Sequence, residues 1–529
     1  MHTPPARRRL ALVAAAAVVG ALLLAGCTGK SSPTTSDAAG GDPVTGGNIT
    51  VQIPQDPGSL DSVASGNVST AVIGRHVFES LFAPNEKNVP TPVLATGYTR
   101  SDDGLVWTIT LRKGLTFSDG TPLVAKDAVA SLKYWLTYSD YAESLGKLVT
   151  DMSAPDDTTV VITTSSPFPV IDLISGSDGS RVIKASVAEK ADAKGFAKED
   201  VIGSGPYKLK SWSTEEIVLE RNDKYQAPEG ESSGYAGAKH QYLDTITFKV
   251  VADADAVVNG LQTGLWDVAQ PTEENYDVLE ADANLNVALR NGGNINAMYL
   301  NFNAQSPMSN QKARDALNLV LDKKAIMETT GGSPDLTIAS GAFAIKGTAL
   351  YSDAGEAEYN AHDPEKAKAL FAEAGVGQGS TLKFVTTGEF PQFKEWAVLA
   401  QDQLKKIGIE STIETYDFGT MLDKLKDPSA WDICPIFDVG LPPVPQFSDE
   451  TSGLTAANFH SDTLDKLMLD YNVAPDADRK AVLDKIQKQV WIDKAAIVLY
   501  QSKSFVASAK KVQGYTGWAL YFADAWVTG

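Results

Sequence analysis

The sequence predicts a mixed α/β protein of more than one domain, and three observations carry that prediction. The chain has 529 residues, too many for one hydrophobic core to organise. Hydrophobic residues make up 43% of it and charged residues 21%, the balance of an ordinary globular chain rather than a disordered or fibrous one. Segments whose apolar residues recur at every second position alternate with segments where they recur at helical spacing. That alternation is the pattern of an α/β fold.

The first 26 residues read as an export signal. Arg7, Arg8 and Arg9 precede an apolar run over residues 10–25, shorter than a typical membrane span. The run ends in Leu24-Ala25-Gly26-Cys27. This resembles a bacterial lipobox, in which Cys27 would become the lipidated first residue of the mature chain. Removing residues 1–26 deletes three Arg and no acid, so the formal net charge goes from −20 to −23. A chain that acidic is a poor partner for nucleic acid. Residues 27–46 are rich in Ser, Thr, Gly and Pro and cannot bury enough apolar surface to order themselves. They are expected to act as a tether with a root-mean-square reach of roughly 25 Å. No later stretch is long and apolar enough to span a bilayer. After Cys27 only Cys434 remains, so lipidation would leave no internal disulfide to form. Cys434 reads as a small buried apolar residue.

The folded part opens with a strand over residues 47–53. Residues 106–111 alternate as a strand, and Arg112-Lys113-Gly114 breaks it. Leu115-Thr116-Phe117 reads as a short second strand, followed by the turn signal Ser118-Asp119-Gly120-Thr121-Pro122. Ala128, Val129, Leu132, Trp135 and Leu136 then repeat at helical spacing. Val124, at the start of that helix, is a poor N-cap, so the helix is expected to begin weakly. A strand over residues 159–163 stops at Ser165-Ser166-Pro167-Phe168-Pro169 and leads towards a short helix. The two glycines of Gly203-Ser204-Gly205-Pro206-Tyr207 read as serving a tight turn. No Gly-Lys-Ser/Thr follows them, which rejects a phosphate loop. Residues 207–210 and 217–221 pair as a hairpin, and residues 243–251 form a further strand. A helix over residues 253–262 ends near Gly264, and a short strand follows at residues 266–269.

Beyond this point strands and helices alternate regularly. Residues 298–303 form a strand before a helix that faces inward through Ala313, Leu317, Val320 and Leu321. Asp363 as N-cap, Pro364 at the first helical position and Gly375 as the stop delimit a helix. Its buried stripe is Ala367, Leu370, Phe371 and Ala374. Trp396, Ala397, Ala400, Leu404 and Ile407 form another stripe, closed by Gly408, before a strand over residues 409–415. The last long helix, residues 476–492, leads into a buried strand over residues 495–500.

Residues 94–136 contain a Ser101-Asp102-Asp103-Gly104 turn, a Leu111-Arg112-Lys113-Gly114 turn and the run Phe117-Ser118-Asp119-Gly120-Thr121-Pro122-Leu123. Together these resemble the signature of the family 5 extracellular solute-binding proteins of ABC importers, which include oligopeptide-, dipeptide- and nickel-binding proteins. The Gly203-Ser204-Gly205-Pro206-Tyr207 run and Met298-Tyr299-Leu300-Asn301-Phe302-Asn303 extend the resemblance, which spans about residues 47–510. It implies a two-lobed periplasmic-binding-protein-like α/β fold, with a hinge of two crossing segments and an extra subdomain inserted in the first lobe. By resemblance, lobe I is residues 47–275 plus 496–529, with the inserted subdomain at about 80–185, and lobe II is residues 276–495.

The resemblance also implies a non-catalytic receptor. A solute, foremost an oligopeptide, would be captured between lobes that close by hinge motion. It would then pass to permease subunits driven by separate ATPase subunits, because this chain has no P-loop. The receptor is expected to be a monomer without cofactor, metal or nucleic acid, held to the extracytoplasmic face of the bacterial cell membrane by its lipid alone.

Four segments would meet the ligand: residues 62–70, with Ser65 and Asn67; residues 341–347; the loop and helix start after residues 381–387, with Glu389, Phe390 and Trp396; and residues 431–447, with Trp431, Phe437, Asp438 and the prolines Pro442, Pro443 and Pro445. Aromatics there can pack on a ligand while Asp438 orients it. Trp396 and Trp431 read equally well as core. Leu441 stands where the resemblance places the Asp that meets a peptide amino terminus. Lys394 and Glu395 stand where it places an Arg for the carboxylate. Both departures favour a longer peptide over a dipeptide.

A nickel chelate or an oligosaccharide stays open as the solute, and a secreted hydrolase or a structural or sensory lipoprotein stays open as the class. With five His, no His-Glu-x-x-His and no Cys-x-x-Cys, the sequence argues against direct metal ligation. The pairs Asp102-Asp103, Asp156-Asp157 and Glu215-Glu216 lie in turn-like sequence, as expected by chance among 66 acids.

Overall fold

The structure is a computed structural model that describes residues 42–139, 142–176, 178–359, 361–377, 379–438 and 459–528. Cys27, the tether, Leu441 and the three prolines after it lie outside these residues, and of Asp438 only the backbone is described.

Two long strands, Leu285–Leu300 and Ala496–Ala509, pair antiparallel through the middle of an 11-stranded sheet. On one side of this crossing pair lie Ile433–Asp438, Thr381–Thr387 and Glu410–Tyr416. On the other lie Val268–Ala269, Asn48–Ile53, Thr245–Val250, Glu216–Arg221 and Tyr207–Trp212, and the eleventh strand, Thr337–Ile338, pairs with Ala496–Ala509 off this row. Thr381–Thr387 and Glu410–Tyr416 run parallel, which requires a crossover. The Pro391–Lys406 helix supplies it and buries Trp396, Ala397, Ala400 and Leu404. The crossing pair is not regular. Its register shifts between Leu289 and Gly293 and again between Asn296 and Ala297. At the first shift the strands come so close that a Cβ on Gly293 would lie 1.6 Å from the Ser502 carbonyl oxygen, a position only glycine can fill.

A separate four-stranded antiparallel sheet joins Ala95–Arg100, Val106–Leu111, Thr159–Thr164 and Val149–Asp156 in that spatial order. The Ala125–Tyr138 helix covers it, and Trp107, Ile109, Leu132, Trp135 and Ile162 form its core. Burying each such aliphatic side chain contributes roughly 1.5–3 kcal/mol. Val124 makes no side-chain cap. The helix start is nonetheless firm, because the Asp127 carboxylate accepts the Val124 N–H (2.9 Å) and the Ala185 N–H (2.8 Å). A charged acceptor in the first turn replaces the missing cap. The expected strand at Leu115-Thr116-Phe117 shrinks to an isolated bridge between Thr116 and Pro122.

Other local signals are realised as read. Asp253 accepts the Ala256 N–H (2.8 Å), and Gly264 closes that helix at φ 74°. Asp363 accepts the Lys366 N–H (3.0 Å), and Gly375 stops the helix at φ 77°. Cys434 is fully buried, and burial pushes its thiol up to about 12.

The reason for Gly203 and Gly205 differs from the one expected. Neither has a positive φ. Instead the segment lies against the end of the Val68–Val77 helix, where Gly205 donates to the Val77 carbonyl (2.8 Å). A Cβ on Gly203 would sit 1.9 Å from Val77 O, and one on Gly205 2.6 Å from His76 O. Close backbone approach requires these glycines, not turn geometry.

Candidate functional site: a cavity at the crossing strands

A cavity of ≈ 1140 Å³ opens beside the crossing pair. Pockets for small organic ligands commonly run to about 300–1,000 Å³, so this one suits a larger solute. Arg290, Gly293 and Asn294 of one crossing strand and Ser502 and Ser504 of the other contribute to its lining. One wall carries Val68, Val72 and Arg75 from the Val68–Val77 helix, Asp172 from the Val170–Gly176 helix, and Tyr235 and Trp518. The opposite wall carries Ile345, Leu350, Tyr471, Arg479 and Leu483.

Asn67 and Ser65 set the helix that forms the first wall. Asn67 Oδ1 accepts the Ser69 N–H (2.8 Å) as N-cap, and its Nδ2 donates to the Asp56 carbonyl (3.0 Å). Ser65 Oγ accepts the Asn67 N–H (3.3 Å) and lies 3.1 Å from Thr70 Oγ1. Two turns after the cap Arg75 is gripped in two ways. Asp178 accepts from its Nε (2.8 Å) and its Nη2 (2.6 Å), and its Nη1 donates to the Tyr235 hydroxyl. Burial alone would raise the Asp178 carboxyl, but Arg181 and Arg75 hold it well below the ordinary carboxylate range. The Tyr235 ring meets Trp518 edge-to-face at 4.6 Å. The result is a rigid wall: Asp178 holds Arg75, Arg75 holds Tyr235, and Tyr235 props Trp518. A second cavity of ≈ 70 Å³ lies behind this wall and shares Arg75 and Tyr235. Glu79 lines it, and burial pushes that carboxyl up to about 7.

The expected ligand residues occupy other places. Ser65 and Asn67 cap the wall helix, while their neighbours Gly66 and Val68 line the cavity. From the second segment Ile345 lines it. Glu389 accepts the Phe418 N–H (3.1 Å) at the start of the Phe418–Leu425 helix. Phe390 packs edge-to-face on Phe437 at 5.2 Å and on Phe418 at 5.3 Å. Trp396 is buried in the core, with its Nε1 donating to Thr330 Oγ1 (3.0 Å) and its ring stacked on Phe393. Trp431 is likewise buried and donates to the Leu425 carbonyl (3.1 Å). The Asp438 backbone pairs with Ile295 of the crossing strand. So the structure brings Phe390 and Phe437 together but sets them, with Glu389, Trp396 and Trp431, away from the cavity lining.

Arg75, Asp172, Tyr235, Arg290, Arg479 and Trp518 were not among the expected residues. One signal could have pointed to Arg290: the Gly292-Gly293 pair beside it, since glycine inside a strand marks a bulge or close approach. The others are single residues on otherwise ordinary elements.

Gly230-Glu231-Ser232-Ser233-Gly234 spells a Gly-x-Ser-x-Gly pattern. It lies in an irregular loop, not between a strand and a helix. Ser232 Oγ donates to Asp524 (2.5 Å), and His240 Nδ1 meets the other Asp524 oxygen (2.7 Å). The hydroxyl faces a carboxylate instead of an imidazole base, so the strand–turn–helix elbow and the nucleophile–base contact are both missing. Among the described residues no group of three or more His, Cys, Asp or Glu could hold a metal ion. No described helix is long and apolar enough to cross a membrane.

Paired crossing strands, sheet wings on either side and a large cavity at the crossing define a two-lobed solute-binding protein. Comparison with known proteins narrows the class. The sequence profile of the bacterial extracellular solute-binding proteins, family 5 (middle region), matches residues 89–434, and the chain belongs to that family. It is 28% identical over 356 residues to the "Probable peptide ABC transporter periplasmic-binding protein y4tO" of Sinorhizobium fredii, with 66% of each chain covered. It is 27% identical over 378 residues to the glutathione-binding protein GsiB of Escherichia coli strain K12, with 70% of each covered. The chain thus spans about two thirds of the length of these curated relatives. Its fold superposes on the oligopeptide-binding protein AppA from Bacillus subtilis in complex with a nonapeptide, with a TM-score of 0.71 at 22% identity, covering 92% of this chain and 100% of that one.

Proposed function

We propose that this chain is the receptor of an ABC importer and that its solute is an oligopeptide held at the crossing strands. The observation that carries this reading is the cavity of ≈ 1140 Å³ walled by elements from both sides of the crossing pair. A solute that touches both walls favours the closed state, because only there are all its contacts made. Lobe I, residues 47–275 plus 496–529, and lobe II, residues 276–495, would hinge on the two crossing strands. The peptide class is supported by the printed names of the y4tO relative and the AppA structure and by the size of the cavity. The closed receptor, working as a monomer without catalysis, would deliver its cargo to permease subunits driven by separate ATPases. A lipid on Cys27 would hold it at the extracytoplasmic face, and Cys27→Ala should then release it from membranes; unchanged fractionation would refute the anchor.

Mass spectrometry of ligand released from the purified protein, followed by a thermal-shift panel, tests the cargo. A solute at one hundred times its Kd adds about 2.7 kcal/mol of stability. Stabilisation by peptides is expected. Stabilisation by an oligosaccharide or a nickel chelate alone would overturn the peptide reading.

A further inference from the structure

Arg290 differs from the other cavity-lining cations. Arg75 faces Asp178 at 2.6 Å, Arg479 faces Asp172 at 3.0 Å, and Lys480 pairs with Asp484. Arg290 has no carboxylate within 4.0 Å among the described residues, although the chain carries 66 acids. It is held by neutral acceptors only: Nε donates to the Trp518 carbonyl (3.2 Å) and Nη1 to Gln270 Oε1 (3.0 Å). Those bonds fix the guanidinium plane without cancelling its charge, and they leave Nη2 without a protein acceptor among the described residues. Trp518 and Gln270 line the same cavity, and Tyr235 props the Trp518 ring. Arg290 also sits at the register shift of the crossing pair, between Leu289 and Gly293, where the ladder is interrupted. A planar cation that is oriented, half-buried and unneutralised is the arrangement that selects a carboxylate.

Resting on the peptide reading above, we propose that Arg290 anchors a carboxylate of the bound solute at the crossing-strand end of the cavity. For a peptide this is its terminal carboxylate or an acidic side chain.

The test is isothermal titration of the purified full chain with one peptide as free acid and as C-terminal amide, each with and without an internal Glu. Arg290→Gln and Arg290→Lys are titrated in parallel, and their ligand-free melting temperatures are checked against the wild type. In the wild type, the forms that carry the carboxylate Arg290 reads should bind roughly 10- to 100-fold more tightly than the form with none. Arg290→Gln should erase that preference, and Arg290→Lys should restore part of it. Whether the amide containing Glu is favoured decides which carboxylate is read. A preference that survives in Arg290→Gln, or equal binding of all forms by the wild type, overturns the proposal while leaving the peptide reading intact. If no peptide binds, carboxylated and neutral sugars are titrated. Preference for the acid that depends on Arg290 then upholds the anchor and removes the peptide, whereas binding of the neutral sugar unaffected by Arg290→Gln removes both.

Discussion

The Asp172 carboxylate and the Arg479 guanidinium lie 3.0 Å apart although 307 positions separate them. Asp172 belongs to the Val170–Gly176 helix and Arg479 to the Asp476–Asp493 helix, and both residues line the cavity. Nearby, Arg100 Nη1 donates to the Asn472 carbonyl (3.3 Å) and the Ala349 N–H to the Lys87 carbonyl (3.1 Å). These contacts tie the two walls of the cavity across its rim. The pair is partly exposed, so its coupling should be about 0.2–1 kcal/mol. Asp172→Asn and Arg479→Gln should each speed release of bound solute a few-fold, with a non-additive double variant and a weaker effect in high salt. Strict additivity of the two changes would show that the pair does not act across the rim.

His76 makes stability depend on pH. Phe522 donates its N–H to Nε2 (3.0 Å), so Nε2 must be unprotonated and Nδ1 must donate to the Val72 carbonyl (3.0 Å). Burial, reinforced by the positive charges of Arg181 and Arg75, pushes the imidazole down to about 3. The unfolded chain takes up this proton near pH 6.5. Between about pH 6.5 and 3 the unfolded state therefore binds more protons, and stability is lost as pH falls through that window. Each pH unit inside it is worth up to about 1.4 kcal/mol. His76→Gln keeps an acceptor and has no proton to gain. It should be less stable than the wild type at pH 7.5, with the deficit shrinking towards pH 4 in urea titrations. A deficit constant with pH would remove His76 from the acid transition.

Gly203→Ala should be more costly than Gly264→Ala. The first change drives a Cβ to 1.9 Å from a helix carbonyl, whereas the second meets nothing within 4 Å and only strains a φ of 74°. Overpacking a rigid contact costs about 1–3 kcal/mol or more, and the left-handed backbone costs roughly 1–2. Urea midpoints measure both, and equal losses would contradict the close-approach explanation.

Trp396→Phe keeps the stack on Phe393 and removes the bond to Thr330 Oγ1, which keeps the Tyr500 hydroxyl at 3.2 Å, so the cost is that of one hydrogen bond, about 0.5–1.5 kcal/mol. Because Trp396 does not line the cavity, the melting temperature should fall while solute affinity stays as it was. A loss of affinity without a loss of stability would return Trp396 to the binding site.

How much was legible before the structure follows the range of each interaction. The helix bounded by Asp363, Pro364 and Gly375, the stripe from Trp396 to Ile407 and the alternating strand at residues 106–111 were readable because caps, breakers and periodicity act within a few positions. The expected Leu115-Thr116-Phe117 strand and the reason for Gly203 were misjudged because each depends on a neighbour far along the chain: a strand needs a partner to pair with, and a close approach needs a helix to approach. The motif in residues 94–136 marked the family, yet most of that run is scaffold, with Tyr98 alone reaching the cavity. The cavity was illegible for a related reason. Arg75, Asp172, Arg290, Arg479 and Trp518 carry no local pattern. Chain folding through the crossing pair brings them together, and no periodicity records a contact across 307 positions. The α/β class and several helix boundaries were thus written in local sequence, whereas the crossing strands Leu285–Leu300 and Ala496–Ala509 run well beyond the short strands expected at residues 298–303 and 495–500. Which side chains line the cavity, and which are spent on the core, was settled by long-range packing alone.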